Sequence, residues 1–532
     1  MSEFIPRPGQ KDVLDYAGGK MGISAVPGSG KTRTLAELAV RLVAERIEGD
    51  QQVLIVTLVN SAVDNFRGRI NESVHKLGLL PNFGYRVRTL HGLSHDIVRE
   101  RPGLAGLSDD FGIIDEREAD AVREDAVEAW LRANPDVADP YLSRDIEGDR
   151  ADWIKRARWP LLVRDVARAF IQRAKDLQIA PEVLLERLAR RDELADTPAS
   201  LTLARMGAEI YADYQRSLAY RGVVDFSDLI RLALDALRCD PDYLARLRQR
   251  WPFILEDEAQ DSSELQEKIL RLLAGPAGNW VRVGDPNQAI FDTFTTANPR
   301  LLTRYLKEED VAAVSLSESG RSQPAIIDLA NYLVDWTSTL HPTHSVRDAF
   351  LRQHIEPTGP GDPQPNPAQN AAAVHLMEDG FTPQQELVAV ADSLQRWLPD
   401  HQDWTVAVLA PRNKRGFELV DLLKQREIPC RELLRSTTTT RHTAGSLGNL
   451  LRCLADPTSA KRLAVAFQVW RRDDRNDPEA KKLVDAVRRR IRGCQAVEAY
   501  LWPRADHDWL APLITELPER ELDLLTGFRE TA

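Results

Sequence analysis

The stretch AVPGSGKTRTL, residues 25–35, ends the β-branched run MGISAV and opens the helical pattern KTRTLAELAVRLVAERI. A strand, a glycine-rich turn and a helix in that order build an anion site. Gly28, Ser29 and Gly30 let the backbone turn tightly and aim several N–H groups at one phosphate, at a helix N-terminus whose dipole also favours negative charge. In such a loop Lys31 reaches the β- and γ-phosphates and Thr32 ligates Mg²⁺. Ala25 stands where the strict pattern has its first glycine. Kinases, transporters, switches and motors all use this loop, so its purpose has to be read from the rest of the chain.

Working outward, the short apolar runs VLIVT, FILEDE and WVRVGD are separated by long amphipathic patterns, the alternation of a parallel sheet covered by helices. From 98 to 221 the pattern is almost wholly helical, as in EREADAVREDAVEAWLRA and WPLLVRDVARAFIQRAKDL, and the sheet resumes after RGVVDFSDLI. A second α/β unit is expected from 304. It contains the loop-forming cluster EPTGPGDPQPNPAQN, then WTVAVLAP as a strand and LVDLLKQREIPC as a helix. From Ala444 onward helix dominates again.

Two further strand ends carry candidate chemistry. FILEDEAQDSS places Asp257 and Glu258 at a strand terminus. Beside a phosphate loop, the first carboxylate is expected to hold the magnesium through water and the second to act as base toward an attacking water. Without the loop, the pair reads as a solvated turn. VGDPNQAIF puts Asp285 and Gln288 where a polar side chain senses the γ-phosphate, or where an Asx-type turn forms around Pro286.

The 532 residues are 43% hydrophobic and 28% charged, the balance of a globular chain of several domains. No apolar run reaches the roughly 18 residues of a membrane span, and MSEFIPRPGQ lacks the layout of a signal peptide, so a cytoplasmic location without membrane contact is expected. Cys239, Cys430, Cys453 and Cys494 are scattered, which indicates neither a disulfide framework nor a zinc site. A net charge of -11 leaves room for a local basic groove on nucleic acid.

The ordered set of motifs resembles the UvrD/Rep-like superfamily 1 DNA helicases. RPGQKDVL is similar to the family's adenine-reading segment, with Gln10 as reader, and AVPGSGKTR to its phosphate loop, with Arg33 against the base. VTLVNSAVDNFRGRI and RTLHGLSHDI match two motifs that touch single-stranded DNA, which by resemblance gives Thr57, Asn60 and His91 DNA contacts. VVDFSDLI, EDEAQDSS, VGDPNQAIF and ESGRSQPAIIDLAN follow in family order, with Arg321 in the place of an arginine on the γ-phosphate.

The resemblance implies an α/β fold of two RecA-like P-loop NTPase domains with parallel sheets, each carrying a helical insertion, that clamp ATP between them. Laid on this chain, the first RecA-like domain, 1A, spans 1–97 and 222–303 around insertion 1B at 98–221. An incomplete second domain, 2A, spans 304–443, followed by a partial insertion 2B at 444–532. The implied activity is ATP hydrolysis with Mg²⁺ coupled to movement on single-stranded DNA, usually 3′ to 5′, and unwinding at single-strand/duplex junctions.

Several positions depart from that pattern. Gly320 replaces the usual tyrosine that stacks on adenine, and Leu58 a base-stacking phenylalanine. AIFDTFTTAN offers Phe291 and Phe294, either as a stacking platform for bases or as core packing at a strand end. The late motifs, including the arginine that completes the γ-phosphate site, are not found. Such an arginine contributes about 10³ to 10⁵ in rate. The expectation is therefore a chain represented without its C-terminal portion, or one whose partner protein supplies that arginine. An ATP-gated DNA-binding module without motor action stays open as an alternative, as does a small-molecule phosphotransferase. The basic segment WRRDDRNDPEAKKLVDAVRRRIRG, from Trp470, reads as a duplex-tracking surface or as a solvated helix face.

Overall fold

The computed structural model describes residues 4–78, 80–142, 146, 148–192, 199–276, 278–289, 298–370, 374–377, 380–432, 438–472, 474, 477–504 and 506–532. They fall into two compact units, Met1–His375 and Leu376–Ala532.

The first unit contains ten strands among its described residues: β1 (Lys20–Ala25), β2 (Val53–Thr57), β3 (Tyr85–Thr89), β4 (Gly112–Ile113), β5 (Val223–Val224), β6 (Phe253–Glu256), β7 (Asn279–Gly284), β8 (Val311–Leu316), β9 (Glu318–Ser319) and β10 (Glu356–Pro357). Six form one sheet in the order β3-β2-β6-β7-β1-β8, with every pairing parallel. β2 is buried along its whole length, as a strand covered on both faces must be. Val53 and Ile55 point to one face, with Leu35, Leu38 and Leu42 of the helix Lys31–Glu45 and Phe66 and Ile70 of the helix Asn60–Lys76. Leu54 and Val56 point to the other, with Leu93, Ile97, Leu229, Ala233 and Ile269. Alternation along one strand thus feeds two cores.

β8 lies beyond the boundary expected at 304, yet it pairs with β1 over six positions, Lys20↔Val311 to Ala25↔Leu316, and so completes the first sheet. Residues between β4 and β5 form a largely helical body. The helix Glu116–Ala133 starts on a capping box formed by Asp115 and Glu118, and packs with Trp159–Asp176 and Ala199–Tyr220 around Val122, Trp130, Val163, Ile171, Ile210 and Tyr214. Its neck is the β4–β5 pair and a buried ion cluster, in which Lys175 Nζ lies 2.6 Å from Asp225 and 2.8 Å from Asp228.

In the second unit the helices Pro383–Trp397 and Asn413–Gln425 pack through Leu387, Ala391, Leu419 and Leu423. A larger helical cluster surrounds Phe467, Val487, Ile491, Tyr500, Leu525 and Phe528. WTVAVLAP is not a strand. Residues 404–410 are exposed and outside any strand, because a parallel strand gains a ladder only from a neighbour and none lies beside them among the described residues. No helix among the described residues is long and apolar enough to cross a membrane.

Candidate active site

A wholly parallel sheet brings the C-terminal ends of all its strands to one edge, and the phosphate loop, the acids and Asp285 each follow directly where one of these strands stops. Side by side along that edge lie β6, β7, β1 and the outermost strand β8, which lead into the acids, Asp285, the phosphate loop and the segment that carries Arg321.

The loop after β1 is shaped from within. Ser29 donates from its backbone N–H and from Oγ to the Val26 carbonyl, at 3.2 and 2.8 Å. Gly28 and Gly30 hold φ values of 80° and 84°, a left-handed backbone that a side chain would strain. At Gly28 a Cβ would also stand 2.4 Å from Ser319 Oγ and 2.6 Å from Arg321 Cβ. Arg321 therefore sits flush against the phosphate loop, and its exposed side chain flanks the anion site.

Across the loop, Asp257 continues from β6, its N–H bonded to the Val56 carbonyl at 2.9 Å. Its Oδ1 is buried without a hydrogen-bond partner. Burial and the adjacent Glu258 charge push its pKa up to about 7 against the opposing pull of Lys31. The same causes, in the same order, raise Asp261 to about 6. Glu258 holds φ = 53°, the left-handed region, and its Oε2 lies 3.4 Å from Lys31 Nζ. Gln260, which sequence reasoning passed over, joins the two halves of the site. Its Nε2 donates to Glu258 Oε2 at 2.7 Å, and its Oε1 accepts the Asp285 N–H at 3.1 Å. The available signal was an uncharged amide among four acids in EDEAQD, the one group there able to donate to a carboxylate and accept from a backbone. Asp285 in turn accepts from the Asn287 N–H and from Gln288 Nε2, and burial raises its pKa.

Mg²⁺ is usually bound by one or two carboxylates together with waters and substrate phosphates rather than by a protein cage. The unpartnered Asp257 oxygen and the half-buried Thr32 at the helix start fit that role. No cluster of three or more His, Cys, Asp or Glu suited to a metal occurs among the described residues.

Residues 7–310 match the UvrD/REP helicase N-terminal domain family, more than half of the chain. The chain belongs to the UvrD/REP helicase family. DNA helicase II of Haemophilus influenzae is 27% identical over 312 residues, covering 59% of this chain and 38% of that protein. ATP-dependent DNA helicase PcrA of Leuconostoc citreum is 30% identical over 331 residues, 61% of this chain and 38% of the relative. For ATP-dependent DNA helicase Rep of Escherichia coli the figures are 24% over 330 residues, 62% and 43%. The chain thus spans about two fifths of the length of these curated relatives. The match to the UvrD/REP family takes in the phosphate loop, the acids, Asp285 and Gln288, and ends before Arg321.

The remaining residues singled out by likeness to this UvrD/REP family are placed as follows. Gln10 is buried, donating to the Ser29 carbonyl at 2.8 Å and accepting the Arg7 N–H at 2.9 Å, so both ends of its amide are engaged. Arg33 lies over the Phe4 ring, 4.6 Å from its centroid. Asn60 is exposed at the start of its helix. Thr57 is 1% exposed at the end of β2, its hydroxyl buried without a hydrogen-bond partner. His91 is half-buried edge-on to Phe226, and burial lowers its pKa. Phe291 and Phe294 lie outside the described residues.

Proposed function

We propose that this chain is the nucleotide- and DNA-engaging part of a cytoplasmic, ATP-dependent motor that moves 3′ to 5′ on single-stranded DNA and opens duplex at junctions. The observation that carries the reading is the continuous chain Lys31–Glu258–Gln260–Asp285, which links the phosphate loop to the end of the neighbouring strand β7. The curated relatives named as ATP-dependent DNA helicases support it.

In this reading the backbone of Gly28, Ser29 and Gly30 cradles the phosphates, and Lys31 leaves Glu258 for the β- and γ-phosphate oxygens. Thr32 and Asp257 hold Mg²⁺, which when bound neutralises charge building up on the phosphates. Glu258, freed of its cation, orients a water and takes its proton, with Gln260 fixing the carboxylate. Gln288 and Arg321 report the γ-phosphate to the DNA contacts at Asn60 and His91.

The test is phosphate release from Mg-ATP with and without single-stranded DNA, beside Lys31→Ala. Stimulation of about tenfold or more that vanishes in the variant supports the motor. ATP-dependent DNA binding with no release supports the gated binding module instead, and release indifferent to DNA overturns both.

A further inference from the structure

Building on the nucleotide site just proposed, we infer that the segment Glu356–Asn370 is a fixed cover over the base side of the phosphate loop. The site then selects triphosphates without discriminating adenine from other bases.

The segment is tied down along its length. β10 pairs with β9, and the Glu356 N–H donates to the Ser317 carbonyl at 2.8 Å. Asn366 Nδ2 donates to the carbonyls of Ser319 and Ser322 at 2.6 and 2.7 Å, and the Asn370 N–H donates to Gln323 Oε1 at 2.9 Å. These bonds bracket Arg321 on both sides. The latch is a bidentate ion pair: Arg7 Nε and Nη2 lie 2.7 and 3.2 Å from the two Asp362 oxygens, with side chains only 11% and 9% exposed. Arg7 Nη1 also reaches the Glu318 carbonyl at 3.2 Å.

Gly320 shows what the cover excludes. A Cβ there would stand 2.2 Å from the Gln364 carbonyl oxygen and 2.7 Å from Arg7 Nη2. The backbone of the cover occupies the space in which any side chain at 320 would begin, so no ring at that position can present a face to a base. Of the other two candidate base contacts, Gln10 has both ends of its amide engaged by Ser29 and Arg7, and Arg33 is drawn over the Phe4 ring. What stays open to a nucleotide is the phosphate side, where recognition by backbone N–H groups and Lys31 is the same for every base.

Equilibrium dialysis of the full chain with labelled ATP, GTP, CTP and UTP tests this, with inorganic tripolyphosphate as competitor. The expected result is four dissociation constants within about threefold, all displaced by tripolyphosphate. An ATP preference of tenfold or more overturns the inference while leaving the phosphate site standing. Failure of every triphosphate to bind overturns the site itself and the inference with it. Amide exchange across 356–370 adds an independent readout. It should be unchanged by ATP in the native chain and faster in Asp362→Asn. Acceleration by ATP means that the base displaces the segment, and an Asp362→Asn variant with native exchange means that the ion pair is no latch; either refutes the cover.

Discussion

Glu258 is a non-glycine residue held at φ = 53° in the middle of the acidic cluster, and that backbone strain can be separated from the chemistry of its side chain. A left-handed conformation costs an L-residue about 1–2 kcal/mol, a cost that glycine does not bear. Glycine in turn gives up about 0.5–1 kcal/mol through the greater freedom of the unfolded chain. Glu258→Gly is therefore expected to be more stable than Glu258→Gln by roughly 1 kcal/mol, the difference of those two ranges. Both variants remove the charge that raises Asp257 and Asp261, so that effect cancels; because the glutamine amide oxygen can still accept from Gln260 Nε2 and Lys31, the two are compared in a Lys31→Ala, Gln260→Ala background, where neither partner remains. Urea unfolding of the two variants at one pH measures the difference, and thermal midpoints about 2 °C apart should accompany it. In the otherwise native chain each variant should lose about 10²- to 10⁴-fold in phosphate release, the range for removal of a general base. If Glu258→Gly is no more stable than Glu258→Gln, the backbone there is not strained and the reasoning fails. If Glu258→Gln retains native release, the residue is not the base.

Asp257 and Asp261, with pKa values near 7 and 6, bind protons more tightly folded than unfolded, so stability of the ligand-free chain should fall as pH rises from about 4 through 7. Urea midpoints at pH 5 and pH 8 check the sign, and Asp257→Asn should flatten the slope. Arg282 is fully buried, its guanidinium 2.7 Å from Glu256, so Arg282→Met strands that buried carboxylate, while Glu267 keeps Arg271 at 2.8 Å, and should cost about 3–5 kcal/mol in denaturant titration. Lys175→Met should destabilise the insertion's neck by a similar amount, seen as faster amide exchange in 112–114 and 223–228.

What was legible in the sequence was what is written locally. The strand ends at Ala25, Glu256 and Gly284 carry their own signals, an apolar run closed by glycine or acid, and the helix Glu116–Ala133 announces its start through Asp115 and Glu118. Partners far away in the chain left no such trace. β8 reads as well for a new sheet as for the old one, and only its register against β1 assigns it. Arg7 and Asp362 are 355 residues apart, and neither residue type marks the other. WTVAVLAP has a strand's apolar pattern, but pattern alone supplies no neighbour to pair with. Gln10 was legible by resemblance as a base reader, whereas its bonds to Ser29 and Arg7 follow from the way the loop and the first helix meet.

The placement of Lys31 ties these observations to the proposed chemistry. In the ligand-free site its ammonium is the cation nearest Glu258 and also tempers the raised pKa values of Asp257 and Asp261. A phosphate that captures Lys31 removes that compensation from four carboxyls at once, Asp285 included, while bringing further negative charge to the same edge. That cost is incurred in full unless a cation enters with the phosphate, and the unpartnered oxygen of Asp257 is where one fits. Nucleotide without a divalent ion should accordingly bind this site much more weakly than nucleotide with it. Asp257→Asn should narrow that gap by lowering the negative charge and the need for the ion together. Isothermal titration with and without Mg²⁺, on the native chain and on Asp257→Asn, decides the point: an equal dependence on the ion in both would mean that Asp257 is not where the cation is held.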